Sequence, residues 1–238
     1  MTEGRLALGD GIDVAATLHR PEGPAGPRTP VLLLPGARGD PDAAHLVAVA
    51  DVLATAGHPV VRAALTPRPP GQGVVGTSAR AVERCRQVLA AARTHVAAQV
   101  TGVAADAGWI VGGASYGGRV ASLTVADAGG AALGVVGLLL VAYPLHPPGR
   151  PDRLRVAHFG GIDVPVLMLS GDADPFLTEE LLAAHAGDLA GPLTRLVVPG
   201  GAHDLAVSGR RAPDGRRRDP AAAVAEQADA LVAWAGAR

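Results

Sequence analysis

Hydrophobic positions along the 238-residue chain form short apolar runs that alternate with longer stretches of helical spacing. A short apolar run bounded by glycine or proline is typical of a buried strand, whereas apolar residues three and four positions apart indicate an amphipathic helix. The predicted strands cover residues 5–8, 13–19, 31–34, 60–65, 109–111, 135–143, 164–170 and 194–198. The predicted helices cover residues 42–56, 78–96, 118–127, 178–189 and 220–235.

The order of these elements predicts the fold class. The first two strands flank Asp10-Gly11, a dipeptide that favours a tight turn because glycine tolerates positive φ, so we expect an antiparallel hairpin. Strands and helices then alternate, which predicts an α/β fold with a mostly parallel central sheet and helices on both faces. No segment has the composition of a long linker, so the sequence predicts a single domain over residues 1–238.

Composition and charge narrow the function classes. Apolar residues make up 48% of the chain but aromatic residues only 3%, so valine, leucine, isoleucine and alanine must fill the core. The 21 Lys and Arg residues balance 22 Asp and Glu residues, and the net charge of -1 does not favour nucleic acid or an anionic membrane. The single Cys85 lies in a helical stretch and is interpreted as a core residue.

Location is predicted from two further observations. Residues 1–10 show no basic segment followed by an apolar one, so no secretory signal is visible. The longest apolar run, around residues 133–141, is too short to cross a bilayer and is interpreted as a strand. We therefore expect a cytoplasmic protein without a membrane partner.

The most informative motif is Gly113-Ala114-Ser115-Tyr116-Gly117, which connects an apolar strand to a helix. A Gly-x-Ser-x-Gly motif at such a turn presents the serine at the carboxyl edge of the sheet. With 32 glycines in the chain the motif also arises by chance, but its position between a strand and a helix favours a nucleophile. Ser115 is the predicted nucleophile, and the backbone N–H of Tyr116 is a predicted donor to the oxyanion.

An acid and a base are expected after later strands in this fold. Asp172 and Asp174 both follow the strand at 164–170 and compete for the acid role. We favour Asp174, because Asp172 lies nearer the turn and suits a hydrogen bond to the backbone of its own loop. His203 lies in a glycine-rich loop directly after the strand at 194–198, and it is the predicted base.

Two loops are predicted to border the substrate. After the third strand, Gly36 allows close approach of the backbone, and the N–H of Ala37 is the predicted second oxyanion donor. Arg38 either attracts an anionic substrate or points to solvent, and the second alternative is commoner. His146, in the proline-rich loop after the sixth strand, either lines the pocket or belongs to a rigid structural loop, of which the second is favoured.

Other chemistry has weaker support in the sequence. The arginines within residues 210–218 are able to bind phosphate or carboxylate, but a solvated surface loop is the commoner explanation. There is no His-x-x-x-His spacing, no Gly-Lys-Ser/Thr and no Gly-x-Gly-x-x-Gly that opens a helix. We therefore expect neither a metal nor a nucleotide cofactor.

Four segments carry a resemblance to a known family: residues 112–119, residues 143–150, Asp174-Pro175-Phe176 and Gly201-Ala202-His203. On these segments the chain resembles the predicted α/β-hydrolase family that includes a testis-expressed protein and a subunit of a chromatin acetyltransferase complex. More distantly it is similar to dienelactone hydrolases. The resemblance implies a Ser115, Asp174 and His203 triad and a core without a large cap domain.

The chain departs from the family pattern at two positions. Related hydrolases usually carry His-Gly where this chain has Pro35-Gly36, and they often carry a basic residue where Ala114 stands. Both departures lie around the predicted oxyanion hole and leave the three triad residues in place. The resemblance therefore implies the chemistry of a hydrolase without specifying its substrate.

These observations predict a serine hydrolase that acts on a small ester, a thioester or a related acyl bond. The expected partner is a small-molecule acyl substrate, and the expected assembly is a monomer or a homodimer. The alternative is a non-enzymatic interaction module that retains the hydrolase fold, since fold alone does not determine function. Three catalytic residue types in the expected order favour the enzyme.

Overall fold

The computed structural model describes residues 1–9, 11–21, 28–67 and 78–238. The strands in this part of the chain are β1 (Thr2–Ala7), β2 (Asp13–His19), β3 (Val31–Leu34), β4 (Val60–Ala63), β5 (Trp109–Ala114), β6 (Val135–Val141), β7 (Val166–Gly171) and β8 (Leu193–Val198). The α-helices are α1 (Ala44–Thr55), α2 (Ser78–Gln99), α3 (Tyr116–Ala128), α4 (Gly130–Leu133), α5 (Glu179–His185), α6 (Pro220–Ala225) and α7 (Ala228–Gly236).

The described strands form one sheet in the order β1-β2-β4-β3-β5-β6-β7-β8. β2 is antiparallel to both of its neighbours, and every pair from β4 and β3 through to β7 and β8 is parallel. The predicted mostly parallel sheet is thus confirmed. Because the carboxyl ends of parallel strands share one edge, the loops after β3, β5, β7 and β8 meet there.

The hairpin of β1 and β2 agrees with the sequence-based prediction. Its register runs from Thr2 opposite Leu18 to Ala7 opposite Asp13. Asp10, half of the predicted turn dipeptide, lies outside the described residues. Gly11, the other half, has a φ of 69°, the left-handed conformation that favours glycine.

Two apolar layers cover the sheet, one on each face. The alternation of side chains along β3 illustrates this, because Leu32 and Leu34 pack with α2 and α3 whereas Val31 and Leu33 pack with α1, α6 and α7. All four of these side chains are fully buried. The predicted helices on both faces are therefore confirmed, and the core is built from aliphatic side chains.

Three strands are shorter than predicted: β4, which ends at Ala63 rather than at 65, and β6 and β7, which are shortened for local reasons. β6 ends at Val141 rather than at 143, because Ala142 takes a φ of 49° and turns the chain. β7 begins at Val166 rather than at 164, because Pro165 has no N–H to donate to a neighbouring strand. The carbonyl of Pro165 still accepts a hydrogen bond of 2.9 Å from the N–H of Leu138.

Two predicted helices are also divided. The helix predicted at 178–189 begins after Thr178, whose side chain accepts a hydrogen bond from the N–H of Leu181, and gives way to a 3₁₀ turn at Ala186–Asp188. The helix predicted at 220–235 is interrupted between α6 and α7, where Gln227 has a φ of -103°. Both helices still contribute buried residues, including Val224 and Leu231, to the same apolar layer.

The central strands should dominate stability. Leu139 on β6 is fully buried, so we expect Leu139→Ala to lower the free energy of unfolding by about 2–5 kcal/mol through lost contacts and a cavity. The matched control is Leu154→Ala, since that side chain is 38% exposed, and it should change stability by less than about 0.5 kcal/mol. Urea denaturation of both variants measures the difference, and equal effects would contradict this description of the core.

Candidate active site

Ser115 lies in the sharp turn between β5 and α3. Its φ of 47° and ψ of -110° are unusual for a residue with a side chain and cost about 1–3 kcal/mol. The turn is held on both sides, because the Ser115 N–H donates to the carbonyl of Val141 at 2.8 Å and its carbonyl accepts from the N–H of Arg119 at 3.0 Å. The hydroxyl is thereby presented at the carboxyl edge of the sheet.

Glycines allow this turn to pack against the end of β3. A Cβ atom added at Gly113 would lie 2.1 Å from the carbonyl oxygen of Leu34, and one added at Gly117 would lie 2.4 Å from the same atom. Both distances are far below van der Waals contact. Both positions of the motif therefore require glycine for the turn to pack in this way.

A hydrogen-bonded chain connects three of the predicted residues. The Oγ atom of Ser115 is 2.9 Å from Nε2 of His203, and Nδ1 of His203 is 2.7 Å from Oδ2 of Asp174. The Asp174 side chain is fully buried, and its Oδ1 accepts a hydrogen bond of 2.9 Å from the N–H of Phe176. With a proton on Nδ1 donated to this carboxylate, Nε2 is left as the acceptor for the serine hydroxyl.

Asp172, the alternative acid, has a different partner. Its Oδ1 accepts a hydrogen bond of 2.6 Å from the N–H of Gly200. The expectation that Asp172 bonds to the backbone of its own loop is therefore wrong, because its partner lies 28 residues away in the loop after β8. This bond connects the loops that carry Asp174 and His203.

The imidazole of His203 is also packed against an aromatic ring. The ring centroids of Phe176 and His203 are 4.7 Å apart with an interplanar angle of 82°, an edge-to-face arrangement. On the far side, Phe176 contacts His146 at 5.8 Å between centroids. Phe176 thus restricts the orientation of the imidazole, a contact that the sequence analysis did not predict.

A cavity of about 790 Å³ opens beside Ser115. It is lined by Gly36, Ala37, Arg38, Asp40, Ala43, Ala44, His45, Ala114, Ser115, Tyr116, Pro144, Pro148, Arg155, Phe176, His203, Asp204 and Pro220. Gly36 is close to the serine, since a Cβ added there would lie 3.8 Å from the Cβ of Ser115. The cavity therefore brings together the predicted nucleophile, base, oxyanion donors and two of the three predicted substrate contacts.

His146 is the predicted substrate contact that does not line this cavity. Its side chain is buried, and its Nδ1 is 2.9 Å from the carbonyl oxygen of Pro147. It packs behind Phe176, whereas Pro144 and Pro148 from the same loop reach the cavity. The interpretation of His146 as a pocket-lining residue is corrected accordingly, in favour of the rigid structural loop.

His45 and Arg155 are two of the cavity residues that the sequence did not predict. His45 lies on α1, and burial lowers its pKa, with the charge of His203 acting in the same direction and Asp204 in the opposite one. Arg155 lies in the loop after β6, and burial lowers its pKa, with Arg119 adding to the effect. No motif marks either residue, because His45 falls within helical spacing and Arg155 within an irregular loop.

A second serine and histidine pair lies outside the lining of this cavity. The Oγ of Ser122 is 2.8 Å from Nε2 of His158, and Ser122 is fully buried on α3. Burial and the charge of Arg119 lower the pKa of His158 to about 4, so the imidazole is neutral near pH 7. Among the described residues no carboxylate is hydrogen-bonded to His158, so this pair connects α3 to a loop and lacks the acid found beside His203.

The arginine-rich loop forms its own ion pairs. Arg218 contacts Asp214 at 2.7 Å and also pairs with Glu226, and these bonds raise its pKa. Arg210, Arg211, Arg216 and Arg217 are exposed. These contacts agree with the interpretation of a solvated surface loop.

Two other features are absent from the described ranges. No group of three or more His, Cys, Asp or Glu side chains in them is arranged to hold a metal ion. No helix in them is long and apolar enough to cross a membrane.

A family comparison is consistent with this fold and site. The sequence pattern of the alpha/beta hydrolase domain matches residues 27–234, which is most of the chain. The chain therefore belongs to the alpha/beta hydrolase domain family. The more specific resemblance to the family of the testis-expressed protein and the acetyltransferase subunit stays a prediction.

Solved structures with the same fold cover nearly the whole chain. Est1E from Butyrivibrio proteoclasticus superposes with a TM-score of 0.71 at 16% identity, covering 100% of both chains. An alpha-beta serine hydrolase homologue from Coxiella burnetii gives 0.69 at 18% identity, covering 98% of this chain and 96% of its own. Dienelactone hydrolase from Anabaena variabilis gives 0.65 at 16% identity, covering 98% and 95%. At these identities the likeness establishes the fold.

Gly117 provides a test of the turn. In an ordinary helix Gly→Ala is stabilising by up to about 1 kcal/mol. Here the added Cβ would lie 2.4 Å from the carbonyl oxygen of Leu34 and 2.5 Å from that of Pro35, so we expect Gly117→Ala to destabilise the protein by about 1–3 kcal/mol. Gly4→Ala is the control, because an added Cβ there meets nothing within 4 Å. Thermal unfolding of both variants decides, and a stabilised Gly117→Ala protein would contradict the described packing.

Proposed function

We propose that the protein is a serine hydrolase that cleaves a small ester, a thioester or a related acyl bond. The observation that carries the proposal is the continuous chain of hydrogen bonds from Ser115 through His203 to the buried Asp174. Such a chain activates a hydroxyl that is otherwise a poor nucleophile. Its location beside a cavity gives an acyl substrate access to Ser115.

In the proposed first step, Nε2 of His203 takes the proton of the Ser115 hydroxyl while Oγ attacks the substrate carbonyl carbon. Asp174 stabilises the imidazolium that forms and keeps the imidazole in the required orientation. The resulting tetrahedral intermediate carries a negative charge on the former carbonyl oxygen. When it collapses, the imidazolium returns its proton to the departing alcohol or thiol, and an acyl-enzyme remains.

In the second step, His203 takes a proton from water, and the water oxygen attacks the acyl carbon. Collapse of the second tetrahedral intermediate breaks the bond to Oγ, and the proton on His203 returns to Ser115. A carboxylic acid is released. A negative charge develops on the substrate oxygen in both steps. In this proposal the backbone N–H groups of Tyr116 and Ala37, two residues that line the cavity beside Ser115, stabilise that charge.

Two observations support the substrate class. A cavity of about 790 Å³ suits a small molecule. Two similar structures are named a serine hydrolase homologue and a dienelactone hydrolase, and these names support cleavage of an acyl bond. In this proposal the chain acts as a single domain in the cytoplasm, as a monomer or homodimer, without a cofactor or metal.

Loss of the nucleophile or the base should abolish turnover. We expect Ser115→Ala and His203→Ala each to lower kcat for 4-nitrophenyl acetate by about a thousandfold or more. The triad residues act as a unit, so loss of the nucleophile or of the base disables the attack on the substrate. Ser208→Ala and His95→Ala are matched controls outside the cavity, and they should retain wild-type kcat. Turnover that persists in folded Ser115→Ala protein would refute the proposal.

The acid assignment has a separate test. We expect Asp174→Asn to lower kcat by about a thousandfold to ten-thousandfold, because the amide no longer orients and stabilises the imidazolium. Asp172→Asn should lower kcat by less than about tenfold, because its carboxylate bonds to the N–H of Gly200 rather than to the imidazole. Steady-state rates with 4-nitrophenyl acetate compare the two, and the reverse order would transfer the acid role to Asp172.

A further inference from the structure

Arg155 is a cation in the cavity wall whose side chain has no anionic partner within the described ranges. Two acidic residues also line the cavity, but the charges of Asp40 and Asp204 act on His45. The side chains that influence the pKa of Arg155 are Arg119, which lowers it, and Tyr143, which raises it, and neither is a carboxylate. The acidic residues of the cavity therefore do not neutralise this guanidinium.

The carboxylates of both acidic residues accept hydrogen bonds from backbone N–H groups in their own loops. Oδ1 of Asp204 accepts a hydrogen bond of 3.0 Å from the N–H of Ala206, and Oδ1 of Asp40 accepts one of 2.9 Å from the N–H of Asp42. These bonds stabilise the two loops on which the acids lie. They also make it costly for either carboxylate to move towards Arg155.

The backbone of Arg155 is fixed at both of its polar groups. Its N–H donates to the carbonyl of Leu145 at 2.7 Å, and its carbonyl accepts from the hydroxyl of Tyr143 at 3.0 Å. Tyr143 is fully buried and cannot move without disturbing the core. The guanidinium therefore extends from a rigid point on the cavity wall, which is the arrangement needed for a specificity residue.

The surroundings make an unpaired cation costly here. Arg155 is half-buried, and burial together with the positive charge of Arg119 lowers its pKa. Nε of Arg119 is itself buried and has no hydrogen-bond partner in the described part of the chain. A guanidinium in such a place is stabilised when an anion binds, because the ion pair offsets the cost of a partly buried, unpaired charge.

We propose that Arg155 binds a carboxylate group of the acyl substrate, so that the enzyme prefers esters that carry a second, free carboxylate. Arginine suits this role because its planar guanidinium matches a carboxylate with two parallel hydrogen bonds. Arg38 also lines the cavity but is exposed, so it contributes to attraction of the anion rather than to its position. This inference rests on the proposed hydrolase function, since the carboxylate belongs to the substrate of Ser115.

The test compares two esters that differ in one charge. Mono-4-nitrophenyl adipate carries a free carboxylate on its acyl chain, and its methyl ester is neutral. We expect wild-type kcat/KM to favour the anionic ester, and Arg155→Gln to reduce the ratio of the two values by about 10- to 100-fold, the factor expected for a lost hydrogen bond to a charged group. Arg155→Lys should give an intermediate ratio. Arg153→Gln is the matched control, because that side chain is exposed outside the cavity, and its ratio should equal that of wild type.

A second pair of esters locates the anion. 4-Acetoxybenzoate carries its charge on the departing phenol instead of the acyl chain, and its methyl ester is neutral. If Arg155→Gln lowers the ratio of kcat/KM values for the adipate pair alone, the bound carboxylate lies on the acyl side. If it lowers the ratio for the acetoxybenzoate pair alone, the carboxylate lies on the leaving-group side. A wild-type ratio near one for both pairs, or ratios unaffected by Arg155→Gln, would overturn the inference while leaving the hydrolase intact.

Binding to an inactive variant separates this inference from the proposed function. We expect monomethyl adipate to bind Ser115→Ala protein, as followed by NMR titration, and to bind at least about tenfold more weakly when Arg155→Gln is added. Such binding with no turnover of either ester by the wild type would refute the hydrolase and retain the anion site. Equal binding with and without Arg155 would refute the anion site.

Discussion

The close approach of the β5–α3 turn to the end of β3 is the constraint on which the rest of the site depends. Gly113 and Gly117 both face the carbonyl oxygen of Leu34 with no room for a Cβ atom. This contact forces Ser115 into a strained conformation and places its hydroxyl beside the loop that contains Ala37. The buried, parallel pair of β3 and β5 holds the turn in this strained conformation.

A second set of contacts brings the base to the serine. Asp174 is buried, and its two oxygens bond to His203 and to the backbone of Phe176, whose ring packs on the imidazole. Asp172 connects the same loop to Gly200. The loops after β7 and β8 are thus joined by a carboxylate–imidazole bond and a carboxylate–backbone bond. The histidine is fixed before substrate arrives, which is the preorganisation that nucleophilic catalysis requires.

The sequence predicted those parts of the site that follow from local patterns. The apolar strand, the glycines around Ser115 and the order of acid and base specify the sheet edge, and the structure brings the three side chains within hydrogen-bonding distance. Contacts between distant loops have no such pattern. Arg155 and His45 reach the cavity only through the packing of their loop and helix, and the Asp172 partner lies in another loop for the same reason. The observed ends of helices and strands differ from the predicted ends where a single residue, such as Ala142, changes the backbone conformation.

The central claim is that Ser115 is an activated nucleophile, and covalent labelling tests it most directly. Purified protein is treated with a fluorophosphonate, which reacts with activated serines, and the adduct is mapped by peptide mass spectrometry. We expect one adduct, on Ser115, that is lost when His203 is replaced by alanine in a protein that remains folded. Absence of an adduct on folded wild-type protein, or an adduct on Ser122 instead, would contradict this claim.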